Sequence, residues 1–583
     1  MTDKTPVHRI LEPPALRWEE RRPVSVHEGD IYHDVEGRAE ALRTFIGPAR
    51  LDERFGSVPV FTIGELGFGT GLNFAVAAER FLRRSGGRLH YIAFEHALPC
   101  ARDIARAAGF SGLPVHRELS GILPPRISGW HRRRLAGGRI SLSLYLGDAF
   151  AGLSDLGSTP SGTIDAWFLD GFAPPRSPGI WSPRTCAAIA GLSGPGTTVT
   201  TYSAAGIVKR ALANAGFEVS RIRQHGPKRH SVLGVVPGDP VPPAPLPREV
   251  SVVGAGLAGC SVARALAERG VPVRVHDAAI AHGASAIPGA VLHARLLSDG
   301  SAAASLRAHA YAYAAWFYSG CGGVASTGAI QLPGPNTGAD RLHALGEVLP
   351  SEWIERMSPR DATELAGIDI AESGLYFPHG AAIDGAALCR SLLDHPRIRF
   401  ASDPLRGGIR VLANGCAIAE SLPELEVAPL MGQVDRFDAG RLLLPVLADG
   451  YARPAGESCW VGATYEYRPW PAAEATAANA ERFRKLLGRA PGASRGFFRG
   501  NRAVTSDRTP VIGRAGPEIH VSAGHGSLGV ASAALAGEWI ASLICGECPP
   551  VSREVEALCR VDRFRERQER RPNPFAERSP PER

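Results

Sequence analysis

Short apolar runs alternate with longer amphipathic segments through most of this chain. In the first half, VFTIGEL (60–66), LHYIAFE (89–95), ISLSLYL (140–146), IDAWFLD (164–170) and TTVTTYS (197–203) have the length and composition of strands. FAVAAERFLRRS (74–85) and AAGIVKRALANAG (204–216) gather their apolar residues on one helical face. VSVVGA (250–255) and VRVHD (273–277), on either side of the helical CSVARALAERG (260–270), start the pattern again. Alternation of this kind predicts an α/β fold in both halves, each with a mostly parallel sheet covered on both faces. Longer stretches of the second half do not keep to it and predict a further layer or subdomain there.

The run Pro237–Arg248, PGDPVPPAPLPR, can build neither a helix nor an inner strand and reads as a semi-stiff spacer. It divides the chain into a domain over 1–236, a linker over 237–248 and a domain over 249–559. The segment 560–583 is dense in Arg, Glu and Pro, and is expected to fray, with only its start helical. At 583 residues the chain is too long for one core. Its 44% apolar and 21% charged residues are those of a soluble globular protein. No run of about 18 uncharged apolar residues points to a membrane span, and the N-terminal MTDKTPVHRILEPP has no signal-peptide core. The ten cysteines read as scattered reduced thiols, neither a disulfide framework nor a zinc site, which fits the cytoplasm. The net charge of +7 and pI near 9.0 lean toward a polyanionic partner without deciding for one.

The strand FTIGEL runs into GFGTGLNFAVAAERF, with Gly67, Gly69 and Gly71 spaced two apart. Glycines here allow a tight turn and let a ligand lie against bare backbone at a helix N-terminus. Glu65 precedes the first glycine, Glu95 closes the next strand, and Gly147-Asp148-Ala149 closes a third. This order resembles class I S-adenosylmethionine methyltransferases. The resemblance implies Glu65 facing the methionine end of the cofactor, Glu95 the ribose hydroxyls and Asp148 the adenine amine; turn glycines and surface acids are the plainer alternative. Asp170-Gly171-Phe172-Ala173-Pro174-Pro175 looks like the element of enzymes that methylate exocyclic amines. A carboxylate at Asp170 can orient an amine toward the sulfonium methyl, and Phe172 can pack on a base or simply on the core.

In the second half Gly254, Gly256 and Gly259 form GxGxxG directly after a strand and opening a helix, with Asp277 ending the next strand. That context predicts dinucleotide binding, with pyrophosphate at the helix N-terminus and ribose on the acid. RAVTSDRTPVIG (502–513) and AGHGSLGV (523–530), followed by a small-residue helix, resemble the closing motifs of D-amino-acid-oxidase-like flavoproteins. The resemblance favours FAD. It places Gly526, Ser527 and Gly529 at the flavin, although each late motif alone also fits an ordinary turn.

Taken together, GELGFGTGLNF, DAWFLDGFAP, SAAGIVKRAL, AGFEV with GPKRH, VVGAGLAGCSVARALAERG, HGASA (282–286), MGQV (431–434) and VGATYE resemble one family. It is the bacterial bifunctional enzymes that make 5-methylaminomethyl-2-thiouridine in tRNA, and the match runs in the family's order over nearly the whole chain. The resemblance implies a class I methyltransferase domain followed by an FAD Rossmann domain with a D-amino-acid-oxidase-like substrate sheet, and adds Ser285 to the FAD residues. The flavin half is expected to oxidise the secondary amine of a carboxymethylaminomethyl group, whose imine hydrolyses, and the other half to methylate the freed amine. The chain departs from the family's pattern at Ala286-Ile287-Pro288-Gly289-Ala290, at His293 and at His379-Gly380-Ala381-Ala382, which bears on the flavin-side substrate pocket.

For tRNA contact the candidates are the basic cluster His131-Arg132-Arg133-Arg134 with Arg126 and Arg139, the pair Lys228 and Arg229 before His230, and Phe172 or Trp181 as platforms for a splayed wobble base. No membrane or DNA partner and no metal is expected. Two other readings stay open: a flavin amine oxidase fused to a small-molecule N-methyltransferase, and a tRNA methyltransferase with a non-catalytic FAD scaffold.

Overall fold

The computed structural model describes residues 8–156, 164–224, 230–401 and 407–575. The chain forms two compact units. One holds Arg9–Leu246 together with Ser542–Ser552; the other holds Pro247–Ala541 with the described residues at 8 and 553–575. The border at 246/247 falls inside the Pro-rich run.

In the first unit a small hairpin, β1 (Leu16–Glu19) and β2 (Arg22–Ser25), precedes the main sheet. Its strands are β3 (Val60–Leu66), β4 (Arg88–Glu95), β5 (Gly129–Leu135), β6 (Ile140–Leu146), β7 (Ile164–Leu169), β8 (Ser193–Thr201), β9 (Glu218–Arg223) and β10 (His230–Val235). They lie in the order β5-β6-β4-β3-β7-β8-β10-β9, parallel from β6 to β8 and antiparallel at both margins. The five strands expected from the apolar runs are all present. Helix α1 (Leu72–Arg84) buries Leu72, Phe74, Phe81 and the small residues between them, so each face of the sheet carries its own core. Because the crossover from β3 leads to β4 on one side and that from β7 leads to β8 on the other, the chain switches direction between these two strands, and a crevice opens at their carboxyl ends.

The core of the basic cluster is part of the sheet. His131–Arg134 lie in the edge strand β5, and all four side chains are buried. Arg132 donates to the Glu547 carboxylate (2.8 Å) and the Cys548 carbonyl (2.5 Å), Arg133 to the carbonyls of Ile122 and Leu123, and His131 bonds the Ile127 carbonyl (2.8 Å). Buried guanidiniums satisfied in this way cannot serve phosphates. Glu547 and Cys548 belong to the segment 542–552, which the chain returns to this unit. All ten cysteines are free thiols; two of them, Cys545 and Cys548, do form a Cys-x-x-Cys that the reading of scattered thiols passes over.

The second unit contains two sheets. The Rossmann sheet comprises β11 (Val250–Val253), β12 (Val273–His276), and later β17 (Ile398–Ala401), β18 (Arg410–Leu412), β24 (Val511–Arg514) and β25 (Ile519–Ala523). Their order is β17-β12-β11-β18-β25-β24, with only β24 antiparallel to its neighbour. The further layer is a nine-stranded sheet built mainly from β13 (Val291–Leu292), β14 (Val324–Gln331), β15 (Glu355–Met357), β16 (Gly374–Ile383), β19 (Val427–Asp438), β20 (Val446–Leu447), β21 (Tyr451–Ala455), β22 (Ser458–Gly462) and β23 (Ser494–Thr505).

Helix α2 (Leu257–Glu268) follows β11, and α3 (Gly529–Cys545) follows the late glycine loop. A Cβ on Gly537 of α3 would stand 2.6 Å from the Ser261 carbonyl carbon of α2, so only glycine admits this approach. The two helices also share a fully buried Arg269–Glu538 ion pair, completed by the Tyr313 hydroxyl (3.0 Å). The helix over 526–545 is long and apolar enough to cross a membrane, and 67% of its apolar window is buried within the chain.

The start of the segment 560–583, the part expected to be helical, carries a short helix, α4 (Arg563–Gln568). Phe564 is fully buried, Arg563 and Arg567 reach Asp507, and Arg567 and Arg571 reach the buried Glu426. One apolar anchor and a set of paired guanidiniums hold it in place of an amphipathic stripe.

Candidate active sites

In the first unit the turn after β3 is shaped by Gly67, at φ +87°, where a Cβ would lie 2.5 Å from the Asp170 carbonyl oxygen. Glycine therefore brings the loops after β3 and β7 into contact. Asn73, in the first turn of α1, spans two carboxylates there: its amide donates to Glu65 Oε1 (3.0 Å) and to Asp170 Oδ2 (2.6 Å). The Tyr91 hydroxyl donates to the other Glu65 oxygen (2.8 Å). Glu65 is fully buried, and desolvation pushes its carboxyl well above the usual range, with the Asp170 charge adding to the rise.

Glu95 accepts the Gly69 N–H (2.7 Å) and the Ala97 N–H (2.9 Å), and burial raises its carboxyl as well. Asp148 is exposed and accepts the Ala151 N–H (2.9 Å) at the start of the next helix. Gly67, Gly69, Gly71, Glu65, Glu95 and Asp170 thus gather at one crevice, with Asp148 at the end of the adjoining strand. Phe172 is half-buried and meets Tyr32 edge-on, ring centroids 5.2 Å apart. Trp181 is no platform: it is buried in the core, its indole N–H donating to the Phe172 carbonyl (2.9 Å). Lys228 and Arg229 lie outside the described residues.

Sequence reasoning missed Asn73, Tyr32 and Tyr202. Asn73 stands inside the quoted GELGFGTGLNF, but its reach to Asp170 spans 97 positions. Tyr32 packs against the Gly69 turn from the N-terminal segment, and the Tyr202 hydroxyl donates to the Gly171 carbonyl (2.7 Å).

In the second unit the glycines after β11 divide their work. Gly254 has φ +111°, and a Cβ there would meet the Ala413 carbonyl oxygen at 2.4 Å; one on Gly259 would meet the Gly254 carbonyl oxygen at 1.9 Å. Asp277 accepts the Ala255 N–H (2.6 Å), and the Ser285 hydroxyl accepts the Leu257 N–H (2.9 Å) at the start of α2. Gly254, Gly256, Asp277, Ser285, Gly526, Ser527 and Gly529 all line one cavity of about 1170 Å³; Gly259 does not, and serves the packing of α2 on β11. A bare-backbone helix start, an acid at the end of β12 and a second glycine loop around one large cavity fit a dinucleotide with a further ring system.

His293 and His525 also line the cavity; burial lowers His293 to about 3 and His525 to about 4, so both are neutral near pH 7. The departure at 379–382 lies in β16, with His379 packed on Trp353 (4.1 Å), and does not contribute to the cavity lining. Tyr465 and Arg502, inside motifs quoted above but not singled out, line the cavity with Arg295. Burial pushes the Tyr465 phenol up, and the two guanidiniums together pull it below its ordinary value.

These two sites agree with what the chain is similar to. It matches the family of S-adenosyl-L-methionine-dependent methyltransferases over residues 114–237 and that of FAD dependent oxidoreductases over 249–399 and 407–543. The tRNA 5-methylaminomethyl-2-thiouridine biosynthesis bifunctional protein MnmC of Thiobacillus denitrificans is 32% identical over 94% of this chain and 97% of its own length. The MnmC of Pseudomonas entomophila is 32% identical over 95% and 98%. The chain belongs to the MnmC family. As in other members, a methyltransferase using S-adenosylmethionine and an oxidoreductase using FAD are joined in one polypeptide. Among solved structures, glycine oxidase from Geobacillus kaustophilus is similar over 52% of this chain and 96% of its own, at 20% identity and a TM-score of 0.42.

Proposed function

We propose that the chain performs two consecutive steps on the wobble uridine of tRNA, in the cytoplasm. In the flavin unit the secondary amine of a 5-carboxymethylaminomethyl group, on uridine or 2-thiouridine, is oxidised to an imine. Water then cleaves the imine, leaving the 5-aminomethyl group and releasing the two-carbon acid as its aldehyde. Bound FAD supplies the acceptor for the hydride equivalent. Gly254, Gly256, Asp277 and Ser285, which line the cavity, would hold its nucleotide part, and Gly526, Ser527 and Gly529 would offer backbone N–H groups to the flavin ring, favouring the charge it gains on reduction.

In the methyltransferase unit the neutral aminomethyl nitrogen attacks the methyl carbon of S-adenosylmethionine: an N–C bond forms, the S–C bond breaks to release S-adenosylhomocysteine, and a proton leaves the nitrogen. Gly67, Gly69 and Gly71 with Glu65, Glu95 and Asp148 are the residues that would hold the cofactor. The Asp170 carboxylate orients the amine by accepting one of its N–H groups and lies ready for the departing proton. Phe172, Lys228 and Arg229 are assigned to binding the tRNA.

What carries this reading is that relatives named for this tRNA modification align with both units in one stretch, over 94% of the chain. It is tested by nucleoside mass spectrometry on tRNA from cells lacking the chain, with purified protein added back with and without S-adenosylmethionine. Conversion of carboxymethylaminomethyl-uridine to the aminomethyl and then the methylaminomethyl form is expected. Restoration of methylation alone would mean that the altered flavin side no longer oxidises this substrate. No change in either nucleoside would overturn the tRNA assignment.

A further inference from the structure

Glu466 follows β22 and bridges to Met431 of β19. Its carboxylate is fully buried, accepting the Thr464 hydroxyl (2.6 Å) and the Trp470 N–H (3.0 Å) and pairing with Arg499. The residues on either side of it point the other way. Tyr465 is 39% exposed and Tyr467 60% exposed, two large rings on the surface on either side of the buried carboxylate.

Each ring is set among guanidiniums. Arg295 donates to the Tyr465 hydroxyl (3.4 Å) and Arg502 lies 5.0 Å over its ring; Arg508 lies 5.5 Å over the Tyr467 ring and donates to its hydroxyl. Arg468, next in the chain, is exposed. Among the described residues none of these four arginines pairs with a carboxylate. Arg295 and Arg508 adopt φ +41° and +63°, a conformation unfavourable for a non-glycine residue. The surrounding contacts hold both guanidiniums at the tyrosines against that cost. Tyr465 lines the flavin cavity while Tyr467 does not, so the row runs from the cavity outward.

We propose that Tyr465 and Tyr467, with Arg295, Arg468, Arg502 and Arg508, form a stacking ledge for single-stranded RNA at the mouth of the flavin cavity. Unstacked bases offer a π-face to each tyrosine, and the arginines, without acidic partners, meet the phosphates between them. An apolar peptide would satisfy the rings but leave four cations against it, so the charge selects a polyanion. The ledge would grip the nucleotides flanking the modified base while its side chain enters the cavity. This inference rests on the tRNA reading above.

The test is the affinity of the FAD-loaded full chain for an anticodon stem-loop RNA, titrated at low and moderate salt. Tyr467→Ala should weaken binding about 5- to 150-fold, the range of a lost base–aromatic stack. Tyr467→Phe, which keeps the ring, should stay near wild type. Arg508→Ala should weaken binding and flatten the salt dependence. Phe497→Ala is the matched control: that ring is 52% exposed, on the face of β23 that carries Arg499 and not Arg502. Bound FAD, read from visible absorbance, reports that each variant is folded. Wild type that binds RNA with Tyr467→Ala unchanged, or with Phe497→Ala weakened as much, would overturn the ledge and leave the tRNA reading standing. Wild type that binds no RNA would overturn both.

Discussion

Asp170 is held by Asn73, a neighbour in space but not in sequence. The Asn73 amide places a donor on one Asp170 oxygen and a second donor on Glu65, so two carboxylates sit close together without either being left unsolvated and bare. Asp170→Asn keeps the shape and removes the acceptor charge. Methyl transfer to tRNA bearing the aminomethyl group should fall about 10²-fold or more, with S-adenosylmethionine affinity within a few-fold of wild type by calorimetry. A full methylation rate in that variant would remove Asp170 from the reaction.

Asp165 supplies a pH test at the same scale. Burial raises its carboxyl to about 6 from 3.8, although it accepts the Thr62 N–H (2.7 Å) and feels Arg54. A carboxyl raised on folding contributes stability below its unfolded pKa, and that contribution is lost as pH climbs from about 4 through 6. Asn at this position keeps the acceptor and does not titrate. Asp165→Asn should therefore match wild type near pH 4 and exceed it by about 1–3 kcal/mol at pH 8. Urea midpoints at pH 5 and pH 8 check this: the gap should widen with pH, and a constant gap would contradict it.

At the scale of elements, the β11–α2 junction depends on two backbones touching. A Cβ at Gly259 would stand 1.9 Å from the Gly254 carbonyl oxygen, so Gly259→Ala must push α2 off its strand. The variant is expected to purify without the visible absorbance of FAD yet still methylate tRNA supplied with the aminomethyl group. Retained FAD at wild-type stoichiometry would show that the junction can relax. Helix α4 gives a second prediction. A chain ending at Cys559 removes Arg567 and Arg571 from the buried Glu426, and Arg563 from Asp507. Leaving such charges unpaired costs about 3–5 kcal/mol, so the calorimetric transition of the flavin unit should move down by several degrees. A chain ending at Phe575, which retains α4, should not show that shift.

At the scale of the whole molecule, the units do not follow the chain's simple division. Residues 542–552 pack with Arg9–Leu246, and Glu547 supplies the carboxylate for Arg132 (2.8 Å) and Arg88 (3.1 Å), all three side chains nearly or fully buried. Glu547→Ala should destabilise the methyltransferase unit by about 3–5 kcal/mol. The effect would be read as loss of S-adenosylmethionine binding on mild heating while FAD stays bound. A methyltransferase half cut at Leu246 is expected to share the defect, and peptide 542–552 added in trans should partly restore it. Unaltered thermal stability of Glu547→Ala would mean that the pair is dispensable.

Residue order alone determined the strands from apolar runs, the two glycine loops and the acids that follow them. Those features are local: a strand shows in six or seven consecutive side chains, and a cofactor loop in glycines whose spacing the ligand dictates. Ending each strand with a candidate site residue is likewise local, which is why Glu65, Asp170, Gly254 and Asp277 stand out in the order of residues by itself.

Tertiary structure alone decided what those residues touch. Asn73 reaches Asp170 across 97 positions, and Arg132 reaches Glu547 across 415. A run of arginines reads as a phosphate site until a distant carboxylate and three carbonyls are found filling it. The start of an Arg-rich tail reads as a fraying helix until Phe564, the buried Glu426 and the half-buried Asp507 are seen to anchor it. A buried charge or an exposed ring acquires its meaning from partners that only folding brings near, because the cost of an unpaired charge is set by the space around it and not by its neighbours in the chain.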